Sequence, residues 1–352
     1  SNKTTYNGNY GLNAQWTVYN GSKRLKTIEQ EKLNNRVADL DVATSENDIE
    51  QSIAQVYIQI LYAAESVKVN ENTLQVSEAQ RDRGKQLLDA GSIARRDYAQ
   101  LEAQVSTDRY QLVTAQATLQ DYKLQLKQLL ELDGEQEMQV YLPALGDENV
   151  LSPLPTKTDV FRSAVALRPE IEASKLSVEA SELGIGIAKS GYLPSVSLTA
   201  GIGTNHTSGS DFTFGEQVKN GWNNSIGLSI SVPIFNNRQT KSAVEKAKLQ
   251  YQTSQLTLLD EQKTLYKTIE GLWLDANSAQ QRYAAAIEKL HSTQTSYELV
   301  SEQFNVGMKN TVELLTEKNN LLQAQQELLQ SKYMAILNTQ LLKFYQGDKI
   351  TL

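Results

Sequence analysis

A chain of 352 residues with a net charge of −7 and no basic stripe interleaved with aromatics does not fit a nucleic-acid partner. The absence of cysteine excludes a disulfide framework, a zinc knuckle and a thiol nucleophile. No run of 18 or more apolar residues occurs, which excludes a membrane-spanning helix but leaves alternating membrane strands open.

The chain starts SNKTTYNGNYG, without an initiator Met or an apolar leader, so any signal peptide is expected to be already absent. Residues 10–19 alternate. Tyr10, Leu12, Ala14, Trp16 and Val18 fall on one face, and Gly11, Asn13, Gln15, Thr17 and Tyr19 on the other, which predicts a strand. After the Asn20-Gly21 turn a helical pattern runs from Ser22 to Asp89, with Ile53, Ile60, Val67 and Leu74 spaced by seven and Tyr57 and Ala64 as companions, a coiled-coil seam. Such a helix is roughly 100 Å long, more than any globular domain needs.

Beyond Gly91 a second helix is predicted from Ala94 to Leu132, with the heptad row Tyr98, Val105, Leu112, Leu119, Leu126 and the partner row Leu101, Ala115, Tyr122, Leu129. Residues 133–158 have weak periodicity and read as a connector followed by a short helix. Pro169 opens another helix to about Ser190, since proline suits a first turn. Two further strands follow. Val196, Leu198, Ala200 and Ile202 alternate with small polar residues, as do Ile226, Leu228, Ile230 and Val232, and residues 205–223 between them read as a polar loop. One apolar and one small polar face fit an outer-membrane barrel wall, and equally a soluble hairpin packing one face on a core.

An internal repeat weighs on that choice. Tyr19-Asn20 recurs as Phe235-Asn236 and Gly91 as Gly307, and both differences (235 − 19 and 307 − 91) equal 216. Along this offset Leu33 pairs with Leu249, Ile53 with Ile269, Tyr57 with Trp273 and Leu74 with Leu290, and the row after the first tip returns as Leu314, Leu321, Leu328, Ala335, Leu342. This predicts a duplicated strand, long helix, tip and shorter helix. The expected organisation is a first repeat over 1–134, a connector or equatorial segment over 135–168 and a second repeat over 169–352. The helix and strand near 155–217 have no counterpart before the first copy, and loss of an upstream piece is the expectation.

Several stretches carry a family resemblance: residues 166–203, the strand ending VPIFNN at 232–237, the tips AGSIARRDYAQLEAQ and VGMKNTVELL, and the closing segments at 121–134 and 332–347. In these the chain resembles the TolC-type outer-membrane efflux proteins, over nearly all of its length. The resemblance implies a mainly α fold with a membrane β-barrel: a homotrimer whose subunits each give four strands to one twelve-stranded barrel, continued by a helical coiled-coil tunnel. This chain offers three strand candidates. It further implies a passive exit duct in the outer membrane of a Gram-negative bacterium, extending into the periplasm. Its partners would be outer-membrane lipid, a periplasmic adaptor (membrane fusion) protein and an inner-membrane pump. Neither a cofactor nor a catalytic role is implied. The rival from another class is a soluble coiled-coil scaffold or tether, for which the heptads alone suffice.

The resemblance also implies site residues. Gly91 and Gly307 match the turn glycines of the adaptor-docking tips, which also include Ser92, Arg95, Arg96, Asp97 and Lys309. Glu313 falls at an aperture acid. Thr316 stands where a second acid is expected, and Glu317 lies beside it. As sequence alone, Glu313 and Glu317 at i,i+4 also fit a solvated helical face, and Arg95, Arg96 and Asp97 fit ordinary helix-start charges. His206 and His291 have no ligand-like neighbours at metal spacing and suit a loop and a helix surface. Trp16, Trp222 and nearby tyrosines fit an interfacial aromatic belt or strand packing. No acid–base or nucleophile constellation is legible.

Overall fold

The computed structural model describes residues 4–135, 138–143, 145–147 and 150–351; the parts of the expected connector at 136–137, 144 and 148–149 lie outside the described residues. The elements are β1 (Asn7–Asn20), α1 (Lys23–Asp89), α2 (Arg95–Leu129), α3 (Lys157–Leu167), α4 (Pro169–Lys189), β2 (Ser195–Thr207), α5 (Phe214–Asn220), β3 (Asn223–Ser231), α6 (Gln239–Asn305) and α7 (Thr311–Gln346). They fall into two units, Ser1–Asp41 with Glu170–Glu261, and Val42–Pro169 with Gln262–Leu352.

The first unit carries an antiparallel sheet in the order β1-β2-β3. Its register aligns like with like. Trp16 opposes Leu198, which opposes Leu228, and Ala14, Ala200 and Ile226 form the next row. On the other face Gln15, Thr199 and Gly227 align, as do Asn13, Gly201 and Ser225. Directly opposed residues share a face, so one side is apolar apart from Thr204 and Asn224 at one end, and the other is small and polar. The apolar side is bare in the protomer: Leu12, Ile226 and Leu228 are 71%, 84% and 65% exposed. A bulge at Val18 corrects one assignment. It shifts the register so that Tyr19 opposes Val196, moving Tyr19 from the polar to the apolar face.

Two further corrections concern the stretch read as a loop. Residues 205–207, including His206, extend β2 and pair with Asn7–Asn9. Phe214–Asn220 then forms α5, because Thr213 and Glu216 build a capping box: Glu216 N–H donates to Thr213 Oγ1 (3.4 Å) and Thr213 N–H to Glu216 Oε2 (2.9 Å). The Gln217 amide holds this helix to the sheet by accepting from Thr207 N–H (2.9 Å) and donating to Thr207 O (3.2 Å), as a neighbouring strand would. Phe214 stacks edge-on with Tyr10 and His206.

In the second unit helices pack along the heptad seams. Val105 and Leu126 are buried, with Leu112 and Leu119 half-buried between them. Ile58 and Leu61 on α1 meet Tyr333, Leu337 and Leu341 on α7, and Val150 of the connector fits among Ala279, Tyr283 and Ala335. α2 ends at Leu129 rather than 132. Glu131 takes a left-handed φ of 52° and Leu132 N–H bonds back to Lys127 O (3.1 Å), a C-terminal turn made without the usual glycine. α3 stops at Leu167 because Arg168 precedes Pro169 and is held extended (ψ 126°).

The described residues of the connector join no sheet, and side chains from the helices bond to its carbonyls. Tyr57 Oη donates to Tyr141 O (2.8 Å), Lys332 Nζ to Leu145 O (2.6 Å), and Trp273 Nε1 to Pro155 O (3.0 Å). Gln280 Nε2 serves both Val150 O (2.9 Å) and Ser152 O (2.8 Å). Gln280→Ala should therefore destabilise by about 1 kcal/mol, the net cost of losing hydrogen bonds to partly buried acceptors, measured by denaturant unfolding of the extracted protein.

Candidate functional site

Both tips are built alike. At the first, Gly91 N–H bonds to Leu88 O (2.9 Å) and Ser92 N–H to Leu87 O (2.8 Å); at the second, Gly307 N–H bonds to Phe304 O (3.0 Å) and Met308 N–H to Gln303 O (2.8 Å). This closing turn requires a left-handed residue, and Gly91 and Gly307 have φ of 71° and 78°. An added Cβ would meet nothing within 4 Å at either position, so the requirement for glycine is conformational rather than steric.

The helices leaving the tips start differently. α7 has a full capping box: Asn310 Oδ1 accepts from Glu313 N–H (3.0 Å) while Asn310 N–H donates to Glu313 Oε2 (3.2 Å). The other Glu313 oxygen binds Lys309 Nζ at 2.6 Å. The Lys309 bond, helped by the Asn310 N–H, holds the Glu313 carboxyl below its ordinary range. Both Glu313 oxygens are thus engaged within the protomer. Thr316 Oγ1 donates to Val312 O (2.8 Å), one turn back. Glu317 is half-buried and has no hydrogen-bond or ion-pair partner among the described residues. Helical spacing brings Glu313, Thr316 and Glu317 onto one stripe.

α2 begins at Arg95 after Ala94, which gives no side-chain cap. Arg96 Nη2 lies 3.3 Å from Asp97 Oδ1, an exposed guanidinium beside a more covered carboxylate. Arg95 and Ser92 are exposed. Arg96 and Asp97 of the first tip therefore pair locally, and among the described residues no hydrogen bond or ion pair joins the first tip to Lys309 or Glu313 of the second. Next to the tips the two hairpins meet through an apolar cluster, in which Leu101, Phe304 and Leu314 are buried together.

A polar cluster that the heptad reading missed sits further in. Lys318 on α7 bonds to Asp108 on α2 and to Ser77 on α1, and Ser77 also bonds to Asp108. The Lys318 and Asp108 side chains are 4% and 2% exposed. Gln104 Nε2 gives Asp108 a further donor at 2.9 Å. The available signal was a lysine one turn from Leu314 on the apolar seam. Among the described residues no group of His, Asp and Glu is arranged to hold a metal, and His206 serves as a ring partner of Phe214.

These features define a class first: long helical hairpins with glycine tips, and a sheet with one bare apolar face. Two solved structures share that fold, CusC (TM-score 0.82, 18% identity, covering 97% of this chain and 82% of that one) and VceC from Vibrio cholerae (TM-score 0.80, 16% identity, 99% and 88%). The outer membrane efflux protein family model matches residues 1–131 and 160–347, and the chain belongs to that family. Its compartment is the outer membrane of a Gram-negative bacterium. Outer membrane protein TolC of Escherichia coli is 25% identical over 335 residues, 92% of this chain, and the chain spans 66% of the length of that relative.

Proposed function

We propose that this chain is a subunit of a homotrimeric exit duct that conducts substrates passively across the outer membrane. The observation that carries this reading is the sheet: a continuous apolar face exposed in the protomer, a small polar face opposite, and outer edges of β1 and β3 with no strand neighbour among the described residues. Lipid is the environment that matches the apolar face, and strands of neighbouring subunits match the open edges, because unpaired backbone is too costly in hydrocarbon. A soluble scaffold or tether has no use for such a face. In the trimer the strands join a twelve-stranded barrel, four per subunit in the family pattern, and the helices form a coiled-coil tunnel extending into the periplasm.

The internal duplication belongs to this reading. α6 (Gln239–Asn305) starts and ends 216 residues after α1 (Lys23–Asp89), and α7 starts 216 residues after α2 (311 − 95), which supports repeats over 1–134 and 169–352 joined by 135–168. The tips, with Gly91, Ser92, Arg95, Arg96, Asp97, Gly307 and Lys309, meet a periplasmic adaptor coupled to an inner-membrane pump, which supplies the energy. Exposed Val306 and Met308 beside Gly307 give that edge an apolar contact.

Glu313, Glu317 and Thr316 line the aperture, three copies of each around the axis. In single-channel recordings Glu317→Ala should reduce cation selectivity and divalent-ion block, and Glu313→Ala should do so while also loosening the α7 cap. Unchanged selectivity in both variants places the acidic ring elsewhere. The subunit reading itself is tested by fractionation with the outer membrane and migration as a trimer after mild extraction. A soluble monomer overturns it.

A further inference from the structure

The three strands hold no Asp, Glu, Lys or Arg, yet each borders basic residues where it meets the helices. Lys23 and Arg24 open α1 after β1, Lys189 closes α4 ahead of β2, and Arg238 and Lys241 flank the start of α6 after β3. All five are exposed. None forms an ion pair among the described residues, whereas Lys248, further along α6, pairs with Glu245 at 2.9 Å. Arg24 Nη1 has the neutral Thr17 O as its acceptor (3.3 Å). The first acid on α1 is Glu29, the first on α6 is Glu245 and the last on α4 is Glu182, so the border carries one sign of charge.

Packing gathers these segments at one end of the sheet. Thr240 Oγ1 donates to Gly191 O (3.3 Å) and Lys26 Nζ to Gly186 O (3.4 Å), and one cleft is lined by Asn20 and Lys23, by Ser190 and Leu193, and by Gln239 and Thr240. Local preferences oppose what is found there. A helix N-terminus disfavours cations, yet neither α1 nor α6 has an acid in its first turn to offset Lys23, Arg24 and Lys241. Arg238 takes a left-handed φ of 62°, which residues with a Cβ rarely adopt. Beside it Ile234 and Phe235 are 96% and 83% exposed, and Tyr19 and Tyr192 are exposed as well. Local rules broken together in one place mark a surface shaped by something outside the protomer. Bare apolar anchors, tyrosines and unpaired cations side by side fit the border between hydrocarbon and an anionic headgroup layer.

We infer that the helix-side rim of the sheet is a collar for anionic phospholipid, in which Lys23, Arg24, Lys189, Arg238 and Lys241 bind headgroup phosphates while Ile234 and Phe235 enter the acyl layer. The inference rests on the reading of the apolar sheet face as lipid-facing and adds the headgroup class.

The test incubates the whole chain, extracted in neutral detergent, with equal amounts of phosphatidylglycerol and phosphatidylcholine and measures the lipid retained through gel filtration. Wild type should retain phosphatidylglycerol severalfold over phosphatidylcholine, and the excess should fall severalfold between about 0.1 and about 1 M salt as screening shortens. Lys23→Gln, Arg24→Gln, Arg238→Gln and Lys241→Gln together should abolish the preference. Each pair alone, 23 with 24 or 238 with 241, should lower it, a readout that holds should the quadruple variant fail to fold. Removing the same charge by Lys32→Gln, Arg36→Gln, Lys263→Gln and Lys267→Gln should leave it, as should the charge-conserving set Lys23→Arg, Arg24→Lys, Arg238→Lys and Lys241→Arg. Equal retention of the two lipids by wild type, or a preference that survives the glutamine changes at the rim, overturns the collar. If wild type then still inserts into phosphatidylcholine vesicles, the lipid reading of the apolar face stands. Failure to insert into vesicles of either lipid overturns both.

Discussion

Lys318→Met should destabilise the protein by about 3–5 kcal/mol, the penalty for leaving one member of a buried ion pair uncompensated. The lysine reaches Asp108 and Ser77 from a third helix, where neither charge has meaningful access to water. Burial pushes the Lys318 ammonium pKa down, and its bond to Asp108 opposes that shift. Without the lysine, Asp108 retains Gln104 and Ser77 as donors but no positive charge. The companion variant separates loss of charge from loss of packing. Asp108→Leu with Lys318→Met removes both charges at similar volume and should be neutral or more stable by about 1–4 kcal/mol. Denaturant midpoints of the two variants check the pair. If the single variant unfolds like wild type, the cluster contributes nothing to stability.

Leu228→Arg is the second. Leu228 is 65% exposed in the protomer, in register with Leu198 and, through it, Trp16. On a solvated sheet the change would move stability by no more than about 0.5 kcal/mol, as exposed substitutions do. Against lipid it should cost about 2–4 kcal/mol near the bilayer midplane and less near the interfaces. The measurement is unfolding from lipid vesicles, alongside Ser229→Arg on the polar face as the control. Equal effects at 228 and 229 would remove the lipid assignment for the apolar face.

Much of the fold was legible because its signals are local and periodic. Heptads at Val105, Leu112, Leu119 and Leu126 predicted the inward side of α2, alternation predicted the three strands, and Gly91 and Gly307 marked turns that only a left-handed residue closes. The misreadings have local causes too. The T-x-x-E at Thr213 was a helix start inside a segment whose polarity suggested a loop. The single extra residue at Val18 reversed the side on which Tyr19 lies, and no residue type announces such a bulge. At Glu131 a helix closed without glycine, so the stop came earlier than expected.

The candidate site divides in the same way. Spacing alone put Glu313, Thr316 and Glu317 on one stripe, since a helix repeats every 3.6 residues. That Glu313 is occupied by Lys309 and Asn310 while Glu317 is not depends on side-chain positions around the cap. By itself, the order of residues determined the long helices, the three strands and the two tips, which follow from backbone propensity and hydrophobic period, while the family was legible in the resemblance of particular stretches. Only the tertiary structure decided that Lys318 meets Asp108, residues 210 apart in the chain, and that Gln280 carries the connector. The reason is physical. Periodicity specifies which face of a helix is buried, whereas the partner that satisfies a buried charge or carbonyl is chosen by the packing of distant segments.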